Sequence, residues 1–279
     1  MIVSVASGKG GTGKTTVATN MAYSLDEKVQ LLDCDVEEPN AHLFLNPEIE
    51  FTEPAYAMVP EVDSEKCSYC NKCAEICRYS AITLVGETVL TFPELCHGCG
   101  GCVEVCPEQA IAEGRRELGQ VELGKCGTVD FGHGRLRVGE AMSPPLIKAV
   151  RNHAHEQGAV IIDAPPGTSC PVIAAMNNAD FVLLVTEPTP FGLHDLQLAV
   201  EAVKLLKIPC GLVINRSDLG TDKVHKYAQK EGIPILLEIQ FDRKIAEAYS
   251  RGNMLADINP DWRKSFAGLY RKIEMLAEC

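Results

Sequence analysis

The sequence predicts an α/β protein whose mainly parallel sheet is interrupted by a small α+β insert. Three observations predict it. The chain opens on an apolar run that feeds a glycine-rich turn and then a helical stretch. Its second half alternates short apolar runs with helical patterns, the order that builds a parallel sheet with helices on both faces. Between them, residues 62–112 carry two cysteine runs that repeat one another. The expected organisation is a sheet domain over 1–61 and 113–279, with the insert over 62–112.

At 279 residues the chain can bury a full core and hold two domains. Its net charge of −12 argues against general nucleic-acid binding, which wants a basic face. A polar glycine-rich loop begins a few residues from Met1, so no secretory signal is expected, and no apolar run approaches the roughly 20 residues of a membrane span. Thirteen cysteines in such a chain read as metal ligands in a reducing cytoplasm.

In the opening stretch, Ile2 to Ala6 reads as a strand and Lys14 to Leu25 as a helix. Between them, Gly8-Lys9-Gly10-Gly11-Thr12-Gly13-Lys14-Thr15 satisfies G-x-x-x-x-G-K-[ST], followed by Thr16. Glycines let backbone N–H groups crowd round a phosphate, and the helix N-terminus adds the positive end of its dipole. Lys14 would reach the β/γ-phosphates and the Thr15 hydroxyl would sit on Mg²⁺. Gly8, Gly10 and Gly13 also spell G-x-G-x-x-G, with Asp33 placed 20 residues after Gly13 where a dinucleotide ribose would be bound. Lys14-Thr15-Thr16 at the helix start and a later strand ending in Asp163 favour the phosphate loop.

Residues 29–35 form a second buried strand ending in Asp33 and Asp35, which places two carboxylates where ligands bind in parallel sheets. Helix-cap or turn acids are the plainer alternative. From Asn46 to Val62, three prolines and scattered acids read as a linker. The cysteines follow: Cys67, Cys70, Cys73 and Cys77 recur as Cys96, Cys99, Cys102 and Cys106, each shifted by 29. This is the two-cluster bacterial ferredoxin pattern, in which the fourth ligand of each cube comes from the other run. Cys67, Cys70, Cys73 and Cys106 are expected to hold one [4Fe–4S] cluster, and Cys96, Cys99, Cys102 and Cys77 the other. Zinc sites more often show separated Cys-x₂-Cys pairs. Pro107 follows Cys106 as that pattern wants, whereas Arg78 follows Cys77.

Seven glycines between residues 113 and 140 suggest short strands and turns that lead back to the sheet domain. Pro144 and Pro145 open a helix expected through about His155. Strands are expected at 159–163, 181–186, 211–214 and 234–238, with helices near 192–206 and 221–231. The tail from Trp262 to Leu276 is an amphipathic helix flanked by Arg263, Lys264, Arg271 and Lys272, expected to pack on the sheet.

Lys9 at the start of the loop narrows the family. Lys9-Gly10-Gly11-Thr12-Gly13-Lys14-Thr15-Thr16 resembles the deviant phosphate loop of the MinD/ParA ATPases. The likeness extends to Leu31-Leu32-Asp33-Cys34-Asp35, Asp163-Ala164-Pro165-Pro166-Gly167, Val185-Thr186-Glu187-Pro188-Thr189 and Val213-Ile214-Asn215-Arg216. It implies a P-loop ATPase with a deviant Walker A sequence, binding ATP and Mg²⁺ through residues 8–16. Asp33 would approach Mg²⁺ through water, Asp35 would position the attacking water, and Asp163 to Gly167 would form the γ-phosphate switch. Asn215 would recognise the base, a generic turn asparagine being the alternative. Two subunits, alike or related, would sandwich ATP, with Lys9 crossing to the partner's phosphates like an arginine finger.

Combined with the cysteines, the resemblance implies an ATPase with an inserted ferredoxin-like domain. ATP binding and dimerisation would control electron transfer or iron–sulfur cofactor maturation, with an unidentified redox partner or assembly client. A positioning ATPase with structural clusters is the alternative. The family's cluster carriers hold a Cys-x-x-Cys pair late in the nucleotide domain, where this chain has only Cys210. Cys126 and Cys170 lie outside both runs, in places similar to the two cysteines with which the nitrogenase iron protein bridges a cluster across its dimer. Buried inert thiols, the usual state of free cysteines, are the favoured reading there.

Overall fold

The computed structural model describes residues 1–277. In chain order it contains β1 (Ile2–Ala6), α1 (Lys14–Ser24), β2 (Val29–Asp33), α2 (His42–Leu45), β3 (Glu48–Val62), α3 (Lys72–Ile76), β4 (Ile82–Val85), β5 (Thr88–Thr91), α4 (Gly101–Glu104), β6 (Ile111–Cys126) and β7 (Val129–Leu136). Then come α5 (Pro144–Arg151), β8 (Ala159–Asp163), α6 (Cys170–Met176), β9 (Phe181–Thr186), α7 (Pro190–Leu206), β10 (Cys210–Asn215), α8 (Lys223–Glu231), β11 (Ile235–Ile239), α9 (Arg243–Ser250), α10 (Leu255–Ile258) and α11 (Pro260–Ala277). The large sheet runs β11-β10-β9-β1-β8-β2-β7-β6-β3, and β1, β2 and β7–β11 are joined by parallel pairings.

The chain forms two compact units. One comprises Met1–Thr52, Val121–Arg135 and the chain from Ile147 onward. Its strands are apolar on both faces because both faces are covered. Val3, Val5, Leu31, Ile161 and Leu183 face one core with Val17 and Met21 of α1. Alternating with them, Val160, Ile162, Val182 and Leu184 are equally buried on the other face, where α7 packs on β9 and α6 on β1. The apolar stripe of α11, Phe266, Leu269, Tyr270 and Ile273, is buried in the first core. Each such side chain contributes about 1.5–3 kcal/mol by leaving water, which accounts for the stripe as packing. Among the described residues no helix is long and apolar enough to cross a membrane.

The other unit comprises Glu53–Gln120 and Leu136–Leu146. Its backbone repeats as its cysteines do. Left-handed residues recur at the same offset of 29: Tyr69 with Gly98, Asn71 with Gly100, and Ser80 with Gln109. α3 and α4 start 29 apart, at Lys72 and Gly101. The Cys77 N–H bonds the Ala74 carbonyl as the Cys106 N–H bonds that of Val103. The backbone is therefore equivalent on both sides, although Arg78 stands where the second copy has Pro107.

Three expectations are corrected. The proline-marked stretch 46–62 is not a linker but holds β3, 15 residues long. Its buried residues Ala55, Ala57 and Val59 alternate with a period of two. Pro54 and Pro60 are tolerated because β3 is an edge strand, where a missing N–H leaves no ladder broken. Likewise residues 113–140 hold not short strands but the long β6 and β7, joined by the two-residue turn Gly127-Thr128. The helix opened by Pro144 ends at Arg151 rather than about His155.

Candidate functional site

β1 ends in the middle of the parallel sheet, between β8 and β9, so the loop after it opens at the carboxyl edge, where such sheets bind ligands. Gly13 sits at φ 96 as the residue before α1. A Cβ there would lie 2.5 Å from the Asn215 amide nitrogen, so only glycine fits. At the other end of the loop, a Cβ on Gly8 would meet the Asp195 carbonyl of α7 at 2.1 Å. The loop is thereby pinned at both ends. The helical bonds of α1 start with Val17 N–H to the Gly13 carbonyl, which leaves the first-turn N–H groups of Lys14, Thr15 and Thr16 for a ligand.

Three predicted acids stand at this edge. Asp33 and Asp163 are register partners on β2 and β8, and both are fully buried. Asp33 accepts backbone N–H bonds from Asp35, Asn40 and Ala41 at 2.9–3.0 Å, so it also folds the loop after β2. Burial and the Asp163 charge push its pKa well up, against those N–H donors. Asp163 has no aligned hydrogen bond on either oxygen, although the Thr15 hydroxyl is close enough to favour its charged form. Burial pushes it up to about 6, with Lys14 pulling down and Asp35 pushing up. Asp35 is likewise raised to about 6 by burial, against the pull of Lys14. An orphaned buried carboxylate beside a threonine hydroxyl and a buried lysine fits a hydrated Mg²⁺: oxygen ligands, one or two carboxylates, and the rest from water and phosphate.

A cavity of about 450 Å³ opens over the loop. Gly10, Gly11, Gly13, Lys14, Thr15, Thr16 and Asp35 of the loop edge line it, together with Asn215, Arg216, Phe241, Ile245 and Tyr249. That size and a lining that mixes loop backbone, charged groups and aromatic side chains suit a nucleotide. Thr12 is buried beneath, and its carbonyl accepts from the Asn215 amide at 2.8 Å. The Asn215 side-chain oxygen accepts from the Arg216 N–H, so Asn215 braces the loop as well as facing the cavity. Lys9 lies outside the cavity lining and pairs with Glu187 of its own chain at 3.5 Å.

The eight predicted cluster cysteines line two separate cavities. Cys67, Cys70, Cys73 and Cys106 line one small cavity, and Cys77, Cys96, Cys99 and Cys102 another. Among the described residues no three His, Cys, Asp or Glu side chains converge as they would on a single metal ion; each quartet instead spreads over a cavity wall. The Cys77 sulfur accepts the Ala81 N–H at 3.3 Å, and the Cys106 sulfur accepts that of Ala110 at 3.3 Å, the same bond in both repeats. Burial pushes the Cys77 thiol up, but the N–H groups of Tyr79, Ala81, Ile82 and Ser80 outweigh it and bring it below the usual thiol range. An all-thiol quartet with N–H donors on its sulfurs is the donor set that iron–sulfur clusters take.

Cys126 and Cys170 do not come together. Val129 pairs with Val29 at the amino edge of β2, and Asp33 with Asp163 at the carboxyl edge. Cys126 precedes Val129, whereas Cys170 opens α6 beyond Asp163. Four residues of strand separate the two edges by about 13 Å, which speaks against a cluster shared by these two thiols and for the inert reading favoured from the sequence. Cys126 is, however, half-buried and Cys170 exposed rather than buried.

The sequence reading gave no role to Glu187, Arg216 or α9. The signal for α9 was present in Asp242, whose side chain caps the helix through the Lys244 N–H, and in the Ile245/Tyr249 pair one turn apart. Glu187 carried only a motif likeness; its two cationic contacts come from segments distant in sequence.

Known proteins resemble the chain over most of its length. A model of the CobQ/CobB/MinD/ParA nucleotide binding domain matches residues 3–255. An uncharacterized protein of Methanocaldococcus jannaschii is 31% identical over 264 residues, covering 93% of each chain. An iron-sulfur cluster carrier protein of Pyrococcus abyssi is 27% identical over 274 residues, 90% of this chain and 77% of that one. The septum site-determining protein MinD of Pyrococcus horikoshii, complexed with Mg-ADP, superposes with a TM-score of 0.61 at 20% identity, covering 99% of this chain and 96% of that one.

Proposed function

The chain belongs to the CobQ/CobB/MinD/ParA nucleotide-binding family and is a P-loop ATP hydrolase, and from that premise we propose that its Mg²⁺-dependent hydrolysis governs two [4Fe–4S] clusters held in the same chain. The observation that carries this reading is the division of eight cysteines into two quartets, each drawn from both repeats and each lining its own cavity. A cavity wall of four thiols suits a polynuclear group better than a single ion. The iron–sulfur carrier relative supports the same chemistry, at 27% identity.

On the nucleotide side, Lys14 and the free N–H groups of α1 hold the phosphates, and Thr15, Asp163 and Asp33 would hold the Mg²⁺, which would offset the phosphate charge. Asp35 orients the attacking water and, with its pKa near 6, can accept a hydrogen bond from it at neutral pH. Asn215 and the wall formed by Phe241 and Tyr249 hold the base end. Two subunits close over ATP, and Lys9 of each reaches the other's phosphates.

On the cluster side, Cys67, Cys70, Cys73 and Cys106 hold one group and Cys96, Cys99, Cys102 and Cys77 the other, as in the two-cluster ferredoxins. When bound, such clusters supply one-electron transfer at low potential. Two adjacent clusters favour an electron relay, or delivery to a cofactor-assembly client in the cytoplasm, over a structural staple, for which one would suffice. A redox titration followed by EPR, with and without a Mg²⁺–ATP analogue, separates the readings. Reversible reduction whose midpoint moves with nucleotide supports the coupled function; clusters that stay silent to strong reductant would leave a positioning ATPase with structural clusters.

A further inference from the structure

Glu187 stands at the corner between β9 and α7, where its backbone is fixed. Its carbonyl accepts the Thr189 N–H at 2.8 Å, and the next carbonyl, that of Pro188, accepts the Thr221 N–H at 3.3 Å. Thr189 caps α7 through the Gly192 N–H. The same helix holds Gly8 against Asp195, so the start of the phosphate loop and the Glu187 corner share one rigid support.

The Glu187 side chain is only 8% exposed and meets two cations. One oxygen takes Lys9 Nζ at 3.5 Å, a long contact from a side chain still 32% exposed. The other lies 2.8 Å from Arg216, without the alignment of a hydrogen bond. Arg216 in turn lines the nucleotide cavity. A buried carboxylate with a single cation would resist losing it, because an unpaired buried charge is costly. With two cations, one can leave.

We propose that Glu187 is a positioning residue that holds Lys9 beside its own loop until bound nucleotide draws it away, while Arg216 stays to neutralise the carboxylate. The proposal rests on the reading of Lys9 as a phosphate ligand across the dimer. The restrained lysine is then a population effect: ATP and the partner subunit bind only the fraction of chains in which Lys9 is free, and their apparent affinity falls by that fraction. A part-exposed ion pair of this length sets the fraction at about one in two to one in five.

The test is a double-mutant cycle on anaerobic, cluster-loaded protein: parent, Lys9→Ala, Glu187→Gln and the pair together. The readouts are the concentration of Mg²⁺–AMP-PNP giving half-maximal dimer in sedimentation, and KM and kcat for ATP. Glu187→Gln is expected to lower the half-maximal concentration and KM about two- to fivefold with kcat little changed, and to leave the half-maximal concentration unmoved once Lys9 is alanine, where turnover is too slow to give a KM. Glu187→Asp, which keeps the charge but shortens its reach, should shift both in the same direction by less, and it carries the test if the glutamine variant does not fold. An equal gain in the Lys9→Ala background would mark a general field effect and overturn the restraint. So would a Glu187→Gln protein identical to the parent while Lys9→Ala loses turnover. If Lys9→Ala itself changes nothing, the phosphate role of Lys9 fails, and the restraint with it.

Discussion

Lys14→Ala is expected to leave no ATP binding detectable by calorimetry, whereas Lys9→Ala keeps binding and loses turnover. The side chain of Lys14 is almost fully buried at the carboxyl edge of β1, and it pulls down the pKa of both Asp35 and Asp163. Removing it deletes charge-assisted bonds to phosphate worth about 1.5–3 kcal/mol each. Two such bonds amount to about 10²–10⁴ in affinity. It also leaves Asp35 and Asp163 without the cation that favours their charged forms. Lys9 is half-buried, lies outside the cavity lining and is engaged with Glu187. Its alanine variant should bind one nucleotide per chain but hydrolyse about 10³–10⁵ times more slowly, the range for a cation supplied across an interface. A Lys14→Ala protein binding ATP within tenfold of the parent would contradict the assignment.

Asp163→Asn should produce opposite effects on stability and turnover. In the fold the Asp163 carboxyl is raised from its ordinary 3.8 to about 6. A raised acid binds protons more readily folded than unfolded, so stability falls as pH rises from about 4 to about 6, and the full penalty is present above that. The penalty amounts to about 3 kcal/mol. Asparagine removes it and relieves the neighbouring Asp33, which the same charge repels. The nucleotide-free variant should therefore melt roughly 5–10 °C higher at pH 8, and about level with the parent near pH 4. Turnover should drop about 10²–10³-fold, because a carboxylate facing Mg²⁺ is lost. Calorimetry at the two pH values and a phosphate-release assay check both halves. A variant that melts lower than the parent at pH 8 would show that Asp163 is stabilising rather than held in reserve for a cation.

Signals confined to a short stretch were legible in the sequence. The phosphate loop, the carboxylates at the ends of β2 and β8, and the 29-residue cysteine repeat each rest on fixed spacing, and each falls where that spacing implies. The repeat extends into the backbone, since Asn71 takes the left-handed conformation that Gly100 takes in the second copy. What escaped depends on tertiary position. Pro54 and Pro60 look like linker residues until β3 is known to be an edge strand. Cys126 and Cys170 are plausible partners by order along the chain, and only the pairing of Val29 with Val129 shows that they stand at opposite edges. Glu187 gains its meaning from Lys9 and Arg216, which lie 178 residues before it and 29 after it.

Whether one chain carries both the ATPase and two four-iron clusters is measured most directly by its iron content. Protein prepared without oxygen should hold about eight irons and eight acid-labile sulfides per chain, with the EPR of reduced [4Fe–4S] clusters. Cys73→Ser and Cys102→Ser, each taken from a different quartet, should each hold about four, and the double variant none. One or two zinc ions per chain in place of iron, or iron content unchanged in Cys73→Ser, would contradict it.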